Sequence, residues 1–382
     1  MDQSETPHPR SLPSPPTDGI TSLSYLPSTA SLLLGLESSQ NNRPTLLLST
    51  SWDGRIRLHD TFQQGKIIAN VSVPRDDAEA PTVAPSPVLD HCVVIRSDVT
   101  VYASCLDGRI VRYDVRSNGA RVAANHPSPS HAPALKELGG TETGAKCICT
   151  VAGTDGSEWL VTGGWDGRAV VWDMGGDTLV KALEVQLPGK AFSMDSKRST
   201  LVVATSGRRI CIYNLEIVEG NPKLVLVEDR ESSLKYQTRT LRIFPDGTGM
   251  ALGSIEGRVA IEYLEEATAE AAGRKKYAFK CHRINDTVYP VNAIAFHPVH
   301  GTLATGGADG TAVIWDAIHK KRLTAIQPKF PTSVAALAFN ADGTELAVAS
   351  SYTFEGGERD VGPKDEIYVR EVRDVECRPK KK

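Results

Sequence analysis

The chain of 382 residues holds 43 Lys and Arg against 46 Asp and Glu, a formal net charge of −3, with 40% hydrophobic residues. This ordinary balance gives no global basis for binding nucleic acid or a membrane, and no apolar run reaches the roughly 18–20 residues needed to span a bilayer. Seven cysteines without pairing spacing and a polar start with no signal-peptide core lead to the expectation of a soluble, intracellular protein with reduced thiols.

Residues 1–16 contain Pro7, Pro9, Pro13, Pro15 and Pro16. Proline removes ladder donors, so at most a short closing edge strand is expected near Ser11–Leu12, with a disordered tip. From 17 to 373 one pattern recurs: an apolar strand, an acid–glycine turn, then alternating apolar residues. Its copies are SWDGRIRLHD (51–60), CLDGRIVRYD (105–114), GWDGRAVVWD (164–173), a degraded SGRRICIYNL (206–215), SIEGRVAIEYL (254–264) and GGADGTAVIWD (306–316). Asp-Gly suits a two-residue hairpin, and the β-branched alternation beyond it suits a half-buried strand.

Upstream segments such as DGITSLSYLP (18–27), PVNAIAFHP (290–298) and TSVAALAFN (332–340) read as innermost strands. TELAVASSY (344–352) and EIYVREV (366–372) supply a seventh unit without an Asp-Gly turn. The predicted fold is all-β, a seven-bladed WD-repeat β-propeller over 17–373, in which ring closure protects the sheet edges. The turn acids recur at more than the usual interval of about 40–45 residues, so several loops are long. Residues 74–87 and 116–145 read as polar surface loops. Residues 265–276 have helical composition but are short, and are read as a solvated hairpin loop. Residues 374–382, ending in RPKKK, read as a frayed basic tail.

No nucleophile elbow, phosphate loop or zinc-protease motif occurs, so an enzyme is not expected, and neither is a cofactor or metal. Cys147 and Cys149 read as residues on one strand face, and His297 and His300 as part of a turn. His126 and His131 fall in the loose insert. The informative pattern is the residue after the turn glycine: Arg55, Arg109, Arg168, Arg208 or Arg209, and Arg258. Equivalent turns share one face of a propeller, which predicts a guanidinium ring suited to an acidic or phosphorylated peptide. Trp52 and Trp165 adjoin it as aromatic anchors. RESSLKYQTR (230–239) adds Arg230, Lys235 and Arg239 with a single acid.

These blocks, with KKYAFKCHR (275–283), ATGGADG (304–310) and SSYTFEGG (350–357), resemble the mitotic-checkpoint WD-repeat proteins of the "budding uninhibited by benzimidazole" family. A sister family, the messenger-RNA-export propellers that bind a nucleoporin, shares GSIEGRVAI, FKCHR and AFHPVHGTLAT. The resemblance implies a nuclear adaptor that reaches kinetochores in mitosis. It would bind acidic GLEBS segments of a checkpoint kinase and of its kinase-less or pseudokinase relative. It would also read Met-Glu-Leu-phosphothreonine motifs on the phosphorylated kinetochore scaffold, and work in a checkpoint complex with anaphase-promoting-complex regulators. By motif position Arg239, Arg258 and Trp52 match the family's phosphothreonine site, with Lys235 and Tyr236 as supports. Arg168, Arg208, Arg209 and Trp165 are assigned to the GLEBS carboxylates on the ring argument. No membrane or direct nucleic-acid contact is expected. A propeller hydrolase or lyase and a ubiquitin-ligase substrate receptor are the remaining rivals.

Overall fold

The computed structural model describes residues 7–34, 36, 45–73, 84–115, 122–123, 144–176, 178–359 and 362–380. Most of 74–87 and 116–145, including His126 and His131, lies outside them. The described residues form seven four-stranded antiparallel sheets and one two-stranded ribbon, Arg283–Ile284 with Thr287–Val288. The first strand of each sheet packs beside the first strands of both neighbours, and the seventh returns to the first. The result is a seven-bladed propeller.

Burial explains the sequence texture. Leu46–Ser51 and Gly249–Ser254, the second strands of blades one and five, are buried throughout because adjoining blades cover both faces. They are accordingly made of apolar and small residues, LLLSTS and GMALGS. Lys66–Ser72, the outermost strand of blade one, alternates between exposed and buried. Blade six carries an internal relay: Trp315 Nε1 donates to Thr305 Oγ1 (2.9 Å), Thr305 meets His282 Nε2 (2.8 Å), and His282 Nδ1 meets Asp309 (3.0 Å).

The acid–glycine turns differ from the two-residue hairpins expected. Thr50 pairs with Ile56, and Gly54 N–H donates to Ser51 O at 3.1 Å. The loop is thus three residues, Trp52-Asp53-Gly54, with Gly54 alone at φ +70°. A side chain there would strike Pro85, 2.4 Å from an added Cβ. The acid caps the loop from within: Asp53, Asp107, Asp166 and Asp309 accept the N–H two residues on at 3.0–3.1 Å.

Closure comes from the N-terminus. Arg10–Ser11 pairs with Val369 and Tyr368, and Leu12 N–H donates to Ile367 O at 2.8 Å. Leu12 is buried with Leu23 and Leu47. Two expectations need correction. The propeller does not end at 373: Asp374–Cys377 forms a helical turn with Cys377 fully buried, and Arg370 grips Glu376 through two contacts of 2.7 and 3.2 Å. Residues 265–276 contain a helix, Glu266–Ala271, which persists because Ala269 packs into the core of blades five and six. Among the described residues, no helix is long and apolar enough to cross a membrane.

Candidate functional site: the mouth of the central channel

Each innermost strand begins with the same irregularity. The pairing register slips by one residue at Thr21, Leu89, Lys146, Phe192, Arg239, Asn292 and Ala335, one per blade. A bulge re-aims the extra residue out of the ladder. All seven line one cavity of about 600 Å³, together with Trp52, Trp165 and Ile255 from the three-residue loops, and Lys190, Gln237, Thr238 and Thr353. The residues that follow the bulges, from Ser22 and Asp90 round to Ala336, line a narrower space of about 100 Å³ below. The wide cavity is the channel mouth.

Its charge is one-sided. Lys146, Lys190 and Arg239 line it and no Asp or Glu does. They come from blades three, four and five, so one half of the rim is cationic and the other half neutral. Among the described residues no carboxylate lies within ion-pairing distance of the three side chains. Crowding by the channel wall pulls the Arg239 guanidinium below its ordinary pKa, and the field of Glu355 partly restores it. Two polar atoms also lack partners among the described residues: Thr238 Oγ1 and Asn292 Oδ1. Asn292 Nδ2 donates to Val334 O (3.2 Å) and Thr353 Oγ1 (3.1 Å), which fixes its amide plane. The mouth therefore offers unmatched positive charge and three aromatic rings. It suits an extended anionic peptide.

The structure brings Trp52, Trp165 and Arg239 together. It does not form the predicted guanidinium ring. Arg109 lies 2.8 Å from Asp107, Arg168 2.6 Å from Glu184, Arg208 2.6 Å from Glu231 and Arg209 2.8 Å from Asp229. Arg55 donates to Asn70 at 3.2 Å. The reason is local: a residue opening the third strand lies beside the fourth, and three of these arginines find their acids there. Arg168, Arg208 and Arg209 are therefore absent from the mouth. Arg258 is also outside its lining, 3.4 Å from Glu256. Its turn is nevertheless tied to the Arg239 strand, because Ile255 N–H donates to Gln237 O at 3.1 Å. Lys235 and Tyr236 are exposed on the segment leading into Thr238.

Sequence reasoning missed Lys146, Lys190 and Phe192. The signal was the register: AKCICT, AFSMDS and TRTLRI start strands in equivalent places, their second residues are the bulges at the rim, and Lys190 directly precedes one of these strands.

Comparisons with known proteins agree with this architecture. The family model "WD domain, G-beta repeat" matches residues 135–173 and 273–316. The chain is 40% identical over 380 residues to mitotic checkpoint protein BUB3.1 of Arabidopsis thaliana, covering 98% of this chain and 95% of that protein. It is 36% identical over 364 residues to mitotic checkpoint protein bub3 of Dictyostelium discoideum, covering 94% and 93%. It is 32% identical over 378 residues to mRNA export factor GLE2 of Chaetomium thermophilum, covering 97% and 92%.

Proposed function

This chain belongs to the BUB3 family of mitotic-checkpoint WD-repeat proteins, and we propose that it is a non-enzymatic spindle-checkpoint adaptor whose channel mouth holds anionic peptide segments. The observation that carries the reading is the mouth itself: three cations, three aromatic rings and no carboxylate. Acidic GLEBS segments of a checkpoint kinase and its kinase-less relative set their carboxylates against Lys146, Lys190 and Arg239. Arg168, Arg208 and Arg209 are given no part in this, since their charges are already matched within the blades.

Phosphothreonine motifs on the kinetochore scaffold use the same edge of blade five. A phosphothreonine carries roughly −1.5 to −2 charges and strong acceptor oxygens. Arg239 meets it without giving up a partner. Arg258 joins by exchanging Glu256, 3.4 Å away, for phosphate. Trp52 packs the flanking residues, while Lys235 and Tyr236 extend the contact outward. In this role the protein is nuclear and moves to unattached kinetochores in mitosis, bringing the kinases with it, within a complex that includes anaphase-promoting-complex regulators.

The likeness to an mRNA export factor supports a second reading, in which the mouth holds a nucleoporin GLEBS segment. Recovery of partners with the tagged chain from mitotic and interphase cells separates the two. Checkpoint kinases and phosphorylated scaffold, lost with Lys146→Glu/Arg239→Glu, support the adaptor. Recovery of a nucleoporin and RNA alone from both stages overturns it.

A further inference from the structure

We infer that the groove between blades six and seven is a second subsite for the anionic segment docked at the mouth, accepting an aromatic or branched aliphatic side chain flanked by an acid. This rests on the reading of the mouth given above. The groove encloses about 380 Å³ between Tyr289, Phe330, Pro331 and Tyr352, with Lys329 and Arg359 also lining it.

Groove and mouth adjoin along three chain segments. Asn292, Ala335 and Thr353 face the mouth, while Tyr289, Pro331 and Tyr352 on the same segments face the groove. These residues are one to four positions apart, so at about 3.3 Å per residue three or four residues of an extended peptide bridge the two. The Asn292–Thr353 hydrogen bond (3.1 Å) stands at the join.

Tyr352, Glu355 and Gly356 of the SYTFEGG stretch, 351–357, form one wall of the groove. Tyr352 O–H accepts Gly356 N–H at 2.8 Å and donates to Gly357 O at 2.9 Å, and the Arg359 guanidinium lies 3.8 Å from the centre of its ring. Phe354 sits at φ +61°, a costly conformation for a bulky residue, and is 62% exposed. Its ring is 5.2 Å from that of Tyr352. A strained turn that holds aromatic surface in water gains nothing from burial and is suited to contact with a ligand.

Charge selects the occupant. Lys329 has no ion pair or hydrogen bond among the described residues, and Arg359 has only the ring. The acids are committed: Glu355 accepts from the hydroxyls of Ser333 and Thr353, and Asp309 from His282 and Thr311. An acid beside the inserted apolar side chain completes the match.

The test is fluorescence anisotropy on the full chain with a labelled Met-Glu-Leu-phosphothreonine peptide and two longer peptides carrying Gly-Gly-Phe-Glu at either end. One extended peptide is expected to bind about tenfold more tightly than the core. Tyr352→Ala, and separately the exposed Lys329→Glu, should abolish that gain while leaving core affinity unchanged, which also shows that the variants are folded. No gain from either extension, or a gain that survives both substitutions, overturns the groove alone. Failure of the core peptide to bind wild type overturns the mouth reading and the groove with it.

Discussion

Lys146 and Arg239 occupy the same structural position in blades three and five, each the bulge residue at the first step of its innermost strand, and both face one cavity without a carboxylate partner among the described residues. The arginines Arg168, Arg208 and Arg209 are matched by acids within their blades; the cations of the mouth are not. Stability does not require that arrangement, and an anionic ligand would supply the counter-charge that no carboxylate of the lining provides.

Truncating either side chain should therefore weaken acidic-peptide binding without lowering stability. Lys146→Ala is expected to cost about 1.5–3 kcal/mol of binding, roughly tenfold to more than a hundredfold. Calorimetric titration measures the loss and thermal unfolding provides the control. Arg168→Ala, whose guanidinium is held by Glu184 outside the mouth, should change affinity less than threefold.

The aromatic residues of the rim supply packing. Trp52 is 39% exposed and Trp165 half-buried. Trp165→Ala is expected to weaken the same peptide about tenfold, as loss of an aromatic anchor does. Peptide binding should also shift the tryptophan emission of wild type, and the shift should shrink in this variant.

Acid stability is set partly by buried histidine. Burial pushes His91 down to about 4, and both ring nitrogens meet hydroxyls, Nε2 with Ser24 and Nδ1 with Thr50. His59 is likewise pushed down by burial to about 4. Between pH 6.5 and 4 the unfolded chain binds protons that the folded chain refuses, so stability is whole above 6.5 and falls as pH drops through that window. At pH 5 each group should have given up about 2 kcal/mol. Urea titrations at pH 7 and 5 should show the decline, and His91→Gln should reduce it.

The closure latch predicts a second, more acidic loss. Burial alone would raise Glu376, but hydrogen bonds from Arg370 and from Arg373 N–H outweigh it and hold the carboxyl below 4.5. Its contribution is complete above pH 4.5 and disappears as pH falls through the lower folded value. Arg370 Nε also donates to Pro7 O at 3.0 Å, so the pair secures both ends of the chain. Glu376→Gln should cost about 3–5 kcal/mol, as removal of one partner of a buried pair does. Hydrogen exchange at Ser11 and Leu12 should quicken first.

Local turn chemistry and strand texture made the propeller legible in the chain. Even the seventh blade, which lacks an acid–glycine turn, was marked by its apolar strands. The site was only partly legible. Trp52, Trp165 and Arg239, singled out in the sequence, share the channel mouth, but the arginines after the turn glycines have other surroundings than the ring expected of them. The acids that neutralise Arg168, Arg208 and Arg209 arrive from fourth strands, sixteen to twenty-three residues away in the chain. Register alone decides that they meet. Lys146 and Phe192 stayed hidden for a related reason: a bulge changes which face a residue takes, and its place is fixed by pairing between strands. The packed helical turn at 374–377 was read as tail because one buried pair with Arg370, rather than composition, holds it.

Binding of an anionic peptide by the unpaired cations at the mouth is measured by titrating a Met-Glu-Leu-phosphothreonine peptide into wild type and Arg239→Ala. The expected result is affinity lower by tenfold or more in the variant, with unfolding temperature unchanged. Equal affinity in the two proteins would contradict the account.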